Sequence, residues 1–515
     1  MSRFLSIRKA RGAGLFALTL ALVGCSGHSS PPASFSGGPT QPATPLEANL
    51  TQISSDPYTV GPGQHATEVE PHALANGSTI VATFQTGRIA PGGATDIGWA
   101  TSTDGGTSWS HGFLPGLTTG EGTGPYDAAS DPEVAYDAKH GVWMIASLPL
   151  SATLHAPAVV VSRSVDGFTW QNPVSVFPTD QSSDKNWIVC DSWAASPHYG
   201  NCYLEWDDPL NNDEILMSTS SDGGLTWGAA IPTGGAVSGI GGQPLVQPNG
   251  NVVVPIEGTV TPSMLAFGST DGGGSWGAPV TISTIQFHAD AGGIRSGPLP
   301  SAAVDGAGTV WVVWEDCRFR TGCTTNDLVY STSSDGVNWS AVTRIPIDDA
   351  SSAVDHFIPG IGIDPTTSGM SAHVALHYYY YSQTNCSAAT CQLFVGFISS
   401  ANGGATWNAP VPLTGQMLLG WLPTSQNGLM VGDYIATVFT NGVPHGVFAV
   451  AQATSGSTFS EAIYTGQGLT AARKGRQRSS AGERPLHTLS DKIEREMPEK
   501  GVRPPERSRS RRSSK

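Results

Sequence analysis

One short motif recurs six times in this sequence, and this repetition constrains the fold more than any other feature. The first copy reads STDGGTSW, and every copy keeps a Ser, an Asp or Asn, at least one Gly and a Trp. In such a turn the Asp carboxylate can accept hydrogen bonds from nearby backbone N–H groups. The Gly residues take the positive-φ positions, and the Trp ring packs beneath the turn. The motif therefore predicts a structural turn used once per repeat. The copies are Ser102–Trp109, Ser164–Trp170, Ser220–Trp227, Ser269–Trp276, Ser333–Trp339 and Ser400–Trp407.

A second repeat runs in step with the first. Pairs of short apolar segments, joined by a Gly, Asn or Asp turn, predict β-hairpins. The seven hairpins begin near Glu70, Asp131, Asp184, Gln243, Leu299, Ile358 and Gly432. A third strand, the motif turn and a fourth strand follow each of the first six. The pattern predicts an all-β fold, a β-propeller of four-stranded antiparallel blades, with seven blades favoured and six as the alternative.

The seventh unit lacks a clear fourth strand of its own. The segment NLTQISSDPYTV, which precedes the first hairpin, could supply that strand. Pairing the start of the chain with its end would close the ring and hide the sheet edges that an open array exposes. The low charged fraction of 13% and the 63 glycines also suit a turn-rich β protein.

The two ends of the chain differ from the body. Residues 1–25 combine basic residues with the short apolar run LFALTLALV, and they end at Cys25. This segment resembles a bacterial lipoprotein signal with a lipidated Cys25, and an ordinary cleaved signal is the alternative. We predict a tether over 26–48, the propeller over 49–466, and a basic disordered tail over 467–515. The expected location is outside the cytoplasm, anchored to the membrane through Cys25.

Cysteine spacing and net charge argue against zinc binding and nucleic-acid binding. The six remaining cysteines form close pairs that suit disulfides in an exported chain, and no pair has the CxxC spacing of zinc sites. Residues 26–468 carry 8 Lys and Arg against 35 Asp and Glu, which disfavours nucleic acid as a partner. A monomer is expected. The predicted disulfides are Cys190–Cys202, Cys317–Cys323 and Cys386–Cys391.

Strand order predicts which residues share a face. The starts of the first strands and the loops after the second strands lie on one face, called face one, and the motif turns lie opposite, on face two. A propeller is concave at its channel mouth, so face one is the expected binding site. Its polar residues include Glu70, His72, Lys185, Gln243 and Tyr434. The substrate-binding candidates are Arg88, Asp184, Arg295, Arg318, Arg320, Asp355 and Asp433.

The six motif copies resemble the Asp-box, or BNR, repeat of the sialidase superfamily, over roughly residues 50–465. This resemblance implies a structural role for the box. It also implies a site with three arginines for a sugar carboxylate, a Tyr nucleophile activated by a Glu, and an Asp acid/base. In the family the first arginine opens an R-I-P motif, and the matching letters here are Val69-Glu70-Pro71, so this arginine is missing. The catalytic candidates are Asp131, Glu315, Asp316 and Tyr380. Alternatively, Asp131 could simply form hydrogen bonds with backbone groups where its strand begins, and Tyr380 could simply be one of the tyrosines that alternate between the two faces of a strand.

Three functions are compatible with these features. The first is a sialidase-like exo-glycosidase, of exo-α-sialidase type, that removes terminal sugars. The second is a non-catalytic propeller that binds glycan or protein at the cell surface. The third is a carboxylate-based hydrolase or lyase for other polysaccharides. No cofactor is expected, although face-one acids could hold a structural Ca²⁺.

Overall fold

The computed structural model describes residues 50–153, 155–178, 182–383 and 385–466, which belong to one compact unit. The described residues form 32 β-strands and four short 3-10 helices. None of these helices has the length and apolarity needed to cross a membrane. The predicted signal segment with Cys25, the tether and the basic tail lie outside the described residues.

The strands follow one another with short connections, and we number them in chain order. The first half contains β1 (Leu50–Gln52), β2 (Gln64–Asn76), β3 (Thr79–Arg88), β4 (Ala94–Ser102), β5 (Ser110–Phe113), β6 (Ala128–Asp137), β7 (Val142–Leu150), β8 (Ala158–Ser164), β9 (Val174–Pro178), β10 (Asp184–Cys190), β11 (Cys202–Asp208), β12 (Glu214–Ser220), β13 (Ile231–Pro232), β14 (Gly239–Ile240), β15 (Leu245–Val246) and β16 (Val252–Gly258).

The second half contains β17 (Ser263–Ser269), β18 (Val280–Thr284), β19 (Ser301–Val304), β20 (Val310–Asp316), β21 (Asp327–Ser333), β22 (Thr343–Arg344), β23 (Asp355–Ile363), β24 (Val374–Tyr381), β25 (Gln392–Ser400), β26 (Val411–Pro412), β27 (Met417–Leu418), β28 (Thr424–Ser425), β29 (Gly428–Leu429), β30 (Ala436–Thr440), β31 (Val443–Ala451) and β32 (Glu461–Gly466). The 3-10 helices are Pro209–Asn211, Ala291–Gly293, Gly369–Ser371 and Leu419–Trp421.

The strands assemble into successive antiparallel units of four main strands, in a propeller-like arrangement. Strands β2–β5 and β6–β9 form the first two units, and the single pair Ala94–Ala129 joins them into one eight-stranded sheet. The later units are built on β10–β13, β14–β18, β19–β22, β23–β27 and β30–β32. The last unit takes β1 as its fourth strand, with Thr51 opposite Thr465, so the chain start pairs with the chain end as the sequence predicted.

The hydrophobic core lies between consecutive units rather than within one sheet. For example, Val81 and Ile97 of the first unit pack with Val134 and Ile145 of the second. The first strands of neighbouring units contact one another along the chain, and β2 of the first unit also contacts β30 of the last. Because each sheet buries both faces in this way, nearly every residue of strands such as β4 and β7 is apolar or small.

The turns of the six motif copies, called boxes below, are organised as the sequence predicted. In the first box, Asp104 Oδ1 accepts from the backbone N–H groups of Thr107 at 3.0 Å and Ser108 at 2.9 Å. Ser102 Oγ donates to the same oxygen at 2.8 Å. Trp109 Nε1 donates to the Gly106 carbonyl at 3.0 Å, which holds the ring beneath the turn. Gly105 and Gly106 take φ of 73° and 86°, which favours glycine at both positions.

Each box also packs against the unit that precedes it. The second box contacts the first unit through a 2.6 Å hydrogen bond from Thr101 Oγ1 to the Gly167 carbonyl. Gly272 of the fourth box lies against His198 in the preceding hairpin, and Gly106 of the first box lies against His445 of the last unit. These contacts crowd any side chain at Gly272 or Gly106, and the positive φ of both residues also favours glycine. The box therefore joins units as well as strands.

We expect Asp271→Ala to lower the melting midpoint by roughly 2 °C, because the fourth box loses its central acceptor. Asp271 accepts from Ser275 N at 3.0 Å and from Ser275 Oγ at 2.6 Å. Asp271→Asn is the matched control, since Asn402 of the sixth box accepts from Thr406 N at 2.9 Å and donates to Thr406 Oγ1 at 2.8 Å. Thermal denaturation measures both variants. Equal losses in the two would contradict this account of the box.

Candidate functional site

Backbone bulges in the first strands direct polar side chains toward a common point. Glu70, Asp131 and Lys185 have φ of 51°, 48° and 49°, and each lies at a register shift in β2, β6 or β10. Left-handed backbone at a non-Gly residue costs about 1–3 kcal/mol and persists only where the surroundings impose it. Ile358 in β23 adopts the same conformation with φ of 47°, so the bulge belongs to the repeat. This site differs from the rest of the repeat because three of its bulges carry charged side chains.

These bulges, together with two later residues, form what we call the central cluster: Glu70, Asp131, Lys185, Arg295 and Asp433. Arg295 Nε donates to Asp433 Oδ1 at 2.6 Å, and its terminal nitrogen forms an ion pair with Oδ2. Lys185 Nζ donates to the same Oδ2, so one carboxylate holds two cations. Arg295 also lies 3.9 Å from Glu70, and the Lys185 amide donates to Asp131 Oδ2 at 3.2 Å.

The carboxyl groups in and beside the central cluster differ in protonation state. Burial opposes ionisation of Asp433, but Arg295 and Lys185 hold its pKa far below the usual range. Burial, together with the charges of Asp131 and Asp433, raises the pKa of Glu70 to about 8. Burial and Asp131 also raise the pKa of the adjacent Asp184 to about 6. At neutral pH, Glu70 is therefore mainly protonated while Asp433 is ionised.

A small cavity of about 20 Å³ borders this cluster. Trp187 supplies an aromatic wall, with its ring 5.4 Å from that of Tyr434 and 4.6 Å from that of His72. Asn186 is only 2% exposed, and neither polar atom of its side chain has a hydrogen-bond partner in the described structure. The cavity thus combines an aromatic surface with a free amide and charged groups. Its lining consists of Lys185, Asn186, Trp187, Gly241, Gln243, Leu299, Pro300, Asp433 and Tyr434.

Behind the cavity, Tyr434 interacts with a buried carboxyl group. Burial, followed by the charges of Glu133 and Glu70, raises the pKa of Tyr434 well above its usual range. The Tyr434 hydroxyl makes no hydrogen bond among the described residues. Burial likewise raises the pKa of Glu133. Glu133 Oε2 lies 2.7 Å from His72 Nδ1, which accepts from the Val134 amide at 3.1 Å. A phenol, a carboxyl and an imidazole therefore follow one another from the cavity inward.

A second group of carboxyls lies elsewhere on face one. We call Asp290, Glu315 and Asp355 the acid cluster. Glu315 ends β20, Asp355 begins β23, and Asp290 precedes the 3-10 helix Ala291–Gly293. Burial and the neighbouring acids raise the pKa of Glu315 and Asp290 well above their usual ranges. None of the three lines the cavity.

The structure brings together only part of the predicted site. Asp131, Asp184, Arg295 and Asp433 meet in or beside the central cluster, and Arg88 lies behind it, 2% exposed and electrostatically coupled to Arg295 and Glu70.

The other predicted residues lie apart. Arg318 is held by Asp316, with its Nε 2.9 Å from Asp316 Oδ1, and Arg320 pairs with Asp348 at 2.7 Å. Among the described residues, therefore, the predicted arginines do not converge as a trio on one open site. Glu315 and Asp355 belong to the acid cluster. Tyr380 stacks on Phe394 at 5.3 Å, away from the cavity lining.

Several residues of the site are not among the candidates selected from the sequence. The sequence assigns Glu70, His72, Lys185 and Tyr434 to face one without distinguishing them from their neighbours, and it does not single out Glu133, Asn186 or Trp187. A usable signal is the bulge itself: Glu133 follows Asp131-Pro132 as His72 follows Glu70-Pro71. In each of the two units, the residue two positions after the bulge residue forms one side of the His72–Glu133 contact.

The three predicted disulfides are present in the structure. Cys190 is bonded to Cys202 across the β10–β11 hairpin. Cys317–Cys323 closes the loop that carries Arg318 and Arg320, and Cys386–Cys391 closes the loop after β24. Stiff loops on face one lower the ordering cost of binding a ligand.

No protein-family model matches the chain, and no curated protein matches it in sequence. Among solved structures, it is similar to a polysaccharide lyase described as an ulvan lyase (11% identity, TM-score 0.48, 82% of this chain and 96% of that one). It is also similar to the NanB sialidase from Streptococcus pneumoniae (13%, 0.41, 82% and 70%). A third is an α-L-arabinofuranosidase from Fusarium graminearum (12%, 0.41, 82% and 98%). These TM-scores are below 0.5, so the likeness is one of general all-β architecture and assigns no substrate.

Proposed function

We propose that this chain is a carbohydrate-active enzyme, an exo-glycosidase that accepts a terminal sugar in the cavity over Trp187. The observation that carries the proposal is the series Tyr434, Glu133 and His72 at the cavity wall. A nucleophile next to a base, with a third group orienting the base, is the general arrangement of covalent catalysis. In this proposal the ionised fraction of Glu133, which is small at neutral pH because its pKa is raised, accepts the phenol proton as Tyr434 attacks the anomeric carbon and the glycosidic C–O bond breaks. Water then hydrolyses the glycosyl–tyrosine, and His72 holds Glu133 in place through the 2.7 Å contact.

The general acid in this proposal is Glu70. Its pKa of about 8 keeps it protonated at neutral pH, whereas Lys185 and Arg295 keep Asp433 ionised. Titratable groups whose environments push their pKa values apart mark acid and base roles. Protonated Glu70 can supply a proton to the leaving group, and its electrostatic interaction with Tyr434 indicates that the two side chains serve one site.

The ion pairs of the central cluster favour a neutral sugar over a sialic acid. Lys185 and Arg295 are the cations nearest the cavity wall, and both are engaged by Asp433. A sugar carboxylate would have to compete with this buried partner. Asp433 thus already satisfies both cations. The exo-α-sialidase type, expected from the Asp-box resemblance, stays a prediction that direct assay must decide.

We also propose the finer architecture and location. A closed seven-bladed ring is supported by the contact of β2 with β30 and by the packing of Gly106 against His445. Export and lipid anchoring at Cys25 rest on the sequence of residues 1–25. The monomeric state stays a prediction.

A second candidate is a non-catalytic glycan-binding propeller. The observation that favours it is Asn186, whose buried amide is free beside the aromatic face of Trp187. An aromatic ring with nearby amide groups can bind a sugar ring without cleaving it. This function needs Trp187 and Asn186 but not the Tyr434–Glu133 pair.

A substrate panel with Trp187→Ala separates these functions. The purified protein is assayed with fluorogenic neutral glycosides, including an α-L-arabinofuranoside, and with a sialoside, while glycan binding is measured on an array. We expect turnover of a neutral glycoside, and at least about a tenfold loss of glycan affinity in Trp187→Ala. Phe168→Ala, an exposed aromatic on a box turn, is the control and keeps wild-type affinity.

Each result of the panel has a distinct meaning. Hydrolysis of the sialoside alone would contradict the neutral-sugar assignment and support the exo-sialidase type. Glycan binding without turnover of any substrate would support the second candidate. If Trp187→Ala left turnover unchanged, the cavity would not be the site of the proposed reaction.

A further inference from the structure

The side chain of Gln85 lies at the centre of the polar groups that surround Glu70. Gln85 belongs to β3, is 0% exposed and pairs in register with Val69, the residue just before the bulge at Glu70. Its Nε2 donates to Glu70 Oε2 and, at 3.2 Å, to Ser130 Oγ. Its Oε1 accepts from Arg88 Nη1 at 3.2 Å. Both polar atoms of this buried amide are therefore engaged.

Arg88 fixes the orientation of the Gln85 amide. A guanidinium group can only donate hydrogen bonds, so the Gln85 atom that faces Arg88 must be the oxygen. The amide nitrogen must then face Glu70 and Ser130, and it donates to both. Arg88 is itself held in place, because Nη1 also donates to the Gly93 carbonyl. The hydrogen bonds therefore run in one direction, outward from Arg88.

This chain of donors treats the two carboxyl groups at its end differently. Ser130 Oγ, which accepts from Gln85, donates to Asp131 Oδ1 at 2.6 Å, and the Lys185 amide donates to Asp131 Oδ2 at 3.2 Å. Each oxygen of Asp131 thus accepts a hydrogen bond. Glu70 accepts at Oε2 alone, and its Oε1 has no hydrogen-bond partner among the described residues.

The free oxygen of Glu70 is the one that carries its proton. In a protonated carboxyl the carbonyl oxygen is the better acceptor, so Oε2, which accepts from Gln85, is the carbonyl and Oε1 is the hydroxyl. The ion-pair neighbour of Oε1 is Arg295, 3.9 Å away, and a guanidinium cannot accept this proton. The proton can therefore pass to the oxygen of a leaving group as the glycosidic bond breaks.

We propose that Gln85 is a positioning residue that fixes the acid proton of Glu70 on Oε1. This inference rests on the proposed role of Glu70 as general acid, and it identifies the residue that prepares Glu70 for that role. Hydrogen bonds to a carboxylate favour its ionised form, so the donation from Gln85 opposes the effect of burial on the pKa of Glu70. The other charged or titratable groups that face Glu70 are Arg88, Asp131, Lys185, Arg295, Asp433 and Tyr434.

Gln85→Leu removes the amide while keeping a side chain of similar size. The alkaline limb of the pH profile of kcat/KM reports the pKa of the general acid, which is about 8 for Glu70. We expect this limb to move upward by about one pH unit, because the ionised form of Glu70 loses a donor. We also expect kcat to fall by about tenfold with KM unchanged, because the proton is no longer confined to Oε1.

Gln247→Leu is the matched control. Gln247 is also buried, 2% exposed, and its Nε2 donates to the carbonyls of Gly308 at 2.6 Å and Ser334 at 2.9 Å, beside the fifth box on face two. Its loss removes a buried amide of the same kind, far along the chain from Glu70. We expect this variant to keep the alkaline limb of the wild type.

The protonation of Glu70 is also measured without turnover. Infrared difference spectra of the full chain follow the carbonyl band of the protonated carboxyl, which is identified by its loss in Glu70→Gln. We expect its midpoint to rise by about one pH unit in Gln85→Leu and to stay in place in Gln247→Leu. If circular dichroism shows that Gln85→Leu does not fold, Gln85→Glu gives the same readout, since a carboxylate accepts from Arg88 but cannot donate to Glu70.

These measurements separate the inference from the proposed function. Upward shifts in both readouts, absent in Gln247→Leu, support the role of Gln85. Turnover with an alkaline limb that stays in place in Gln85→Leu would overturn that role and leave the exo-glycosidase proposal intact. A shifted infrared midpoint in a protein that turns over no substrate would overturn the proposed function instead, while Gln85 would still control the proton of Glu70. Equal shifts in Gln85→Leu and Gln247→Leu would overturn the inference, because they would show a general effect of losing a buried amide.

Discussion

Tyr434→Phe is expected to lower kcat by about 10³-fold or more, with KM changed by less than about threefold. The change removes one oxygen at the cavity wall and leaves the ring beside Trp187, 5.4 Å away, so sugar binding should persist. The loss in kcat follows because the Tyr434 hydroxyl is the proposed nucleophile. Steady-state kinetics on the best substrate of the panel measures both constants.

Tyr380→Phe is the matched control for this experiment. Tyr380 was the catalytic tyrosine predicted from sequence, yet its ring stacks on Phe394 and does not line the cavity. We expect it to keep at least about half of the wild-type kcat. Retention of a tenth or more of the activity by Tyr434→Phe would exclude Tyr434 as the nucleophile, and a large loss in Tyr380→Phe would restore the sequence-based choice.

Asp433→Asn is expected to destabilise the folded protein by about 3–5 kcal/mol, because it leaves two buried cations without their shared carboxylate. The Lys185 and Arg295 side chains are 11% and 14% exposed, so water screens them weakly. Guanidinium denaturation at pH 7 measures the change. The double variant Asp433→Asn with Lys185→Met is the control, and it should recover part of the loss because one unpaired charge is removed.

The same ion pairs predict the acid sensitivity of the protein. Because the pKa of Asp433 is depressed in the folded state, its contribution is present above the unfolded pKa of an aspartate, about 4, and is lost as pH falls below it. Asp433→Asn should therefore be less sensitive than the wild type to acidification below pH 4. A wild-type stability unchanged by the substitution at pH 7 would show that Asp433 does not hold the cluster together.

Much of the architecture could be predicted because its signals are local. Each box is encoded within eight residues, and its acceptor, glycines and Trp form the turn with little help from elsewhere, as the bonds of Asp104 show. Hairpin turns such as Asn76-Gly77 are local in the same sense. The pairing of β1 with β32 is long-range, yet it was predictable because an open final unit would leave an unpaired edge.

The site was only half predictable, since strand order assigns a face but not a position around the axis. It assigned Asp131, Asp184, Arg295 and Asp433 to the face on which the structure brings them together, and it equally admitted Arg318 and Arg320, which pair with Asp316 and Asp348 instead. Glu133 escaped because simple strand alternation does not allow for a bulge. The register shift between Ser130 and Glu133 changes which side chains point toward the neighbouring unit.

By itself, the sequence determined the repeating all-β units, the box turns, the disulfide pairs and the face on which charges collect, because turn chemistry and two-residue periodicity act over a few neighbouring residues. Only the tertiary structure decided that Asp433 meets Lys185 and Arg295, which are 248 and 138 residues away along the chain. That choice depends on how units pack around one another and on the left-handed bulges that turn Glu70, Asp131 and Lys185 toward the same point. Neither the packing of the units nor the convergence of the bulges is determined by a single short stretch of residues.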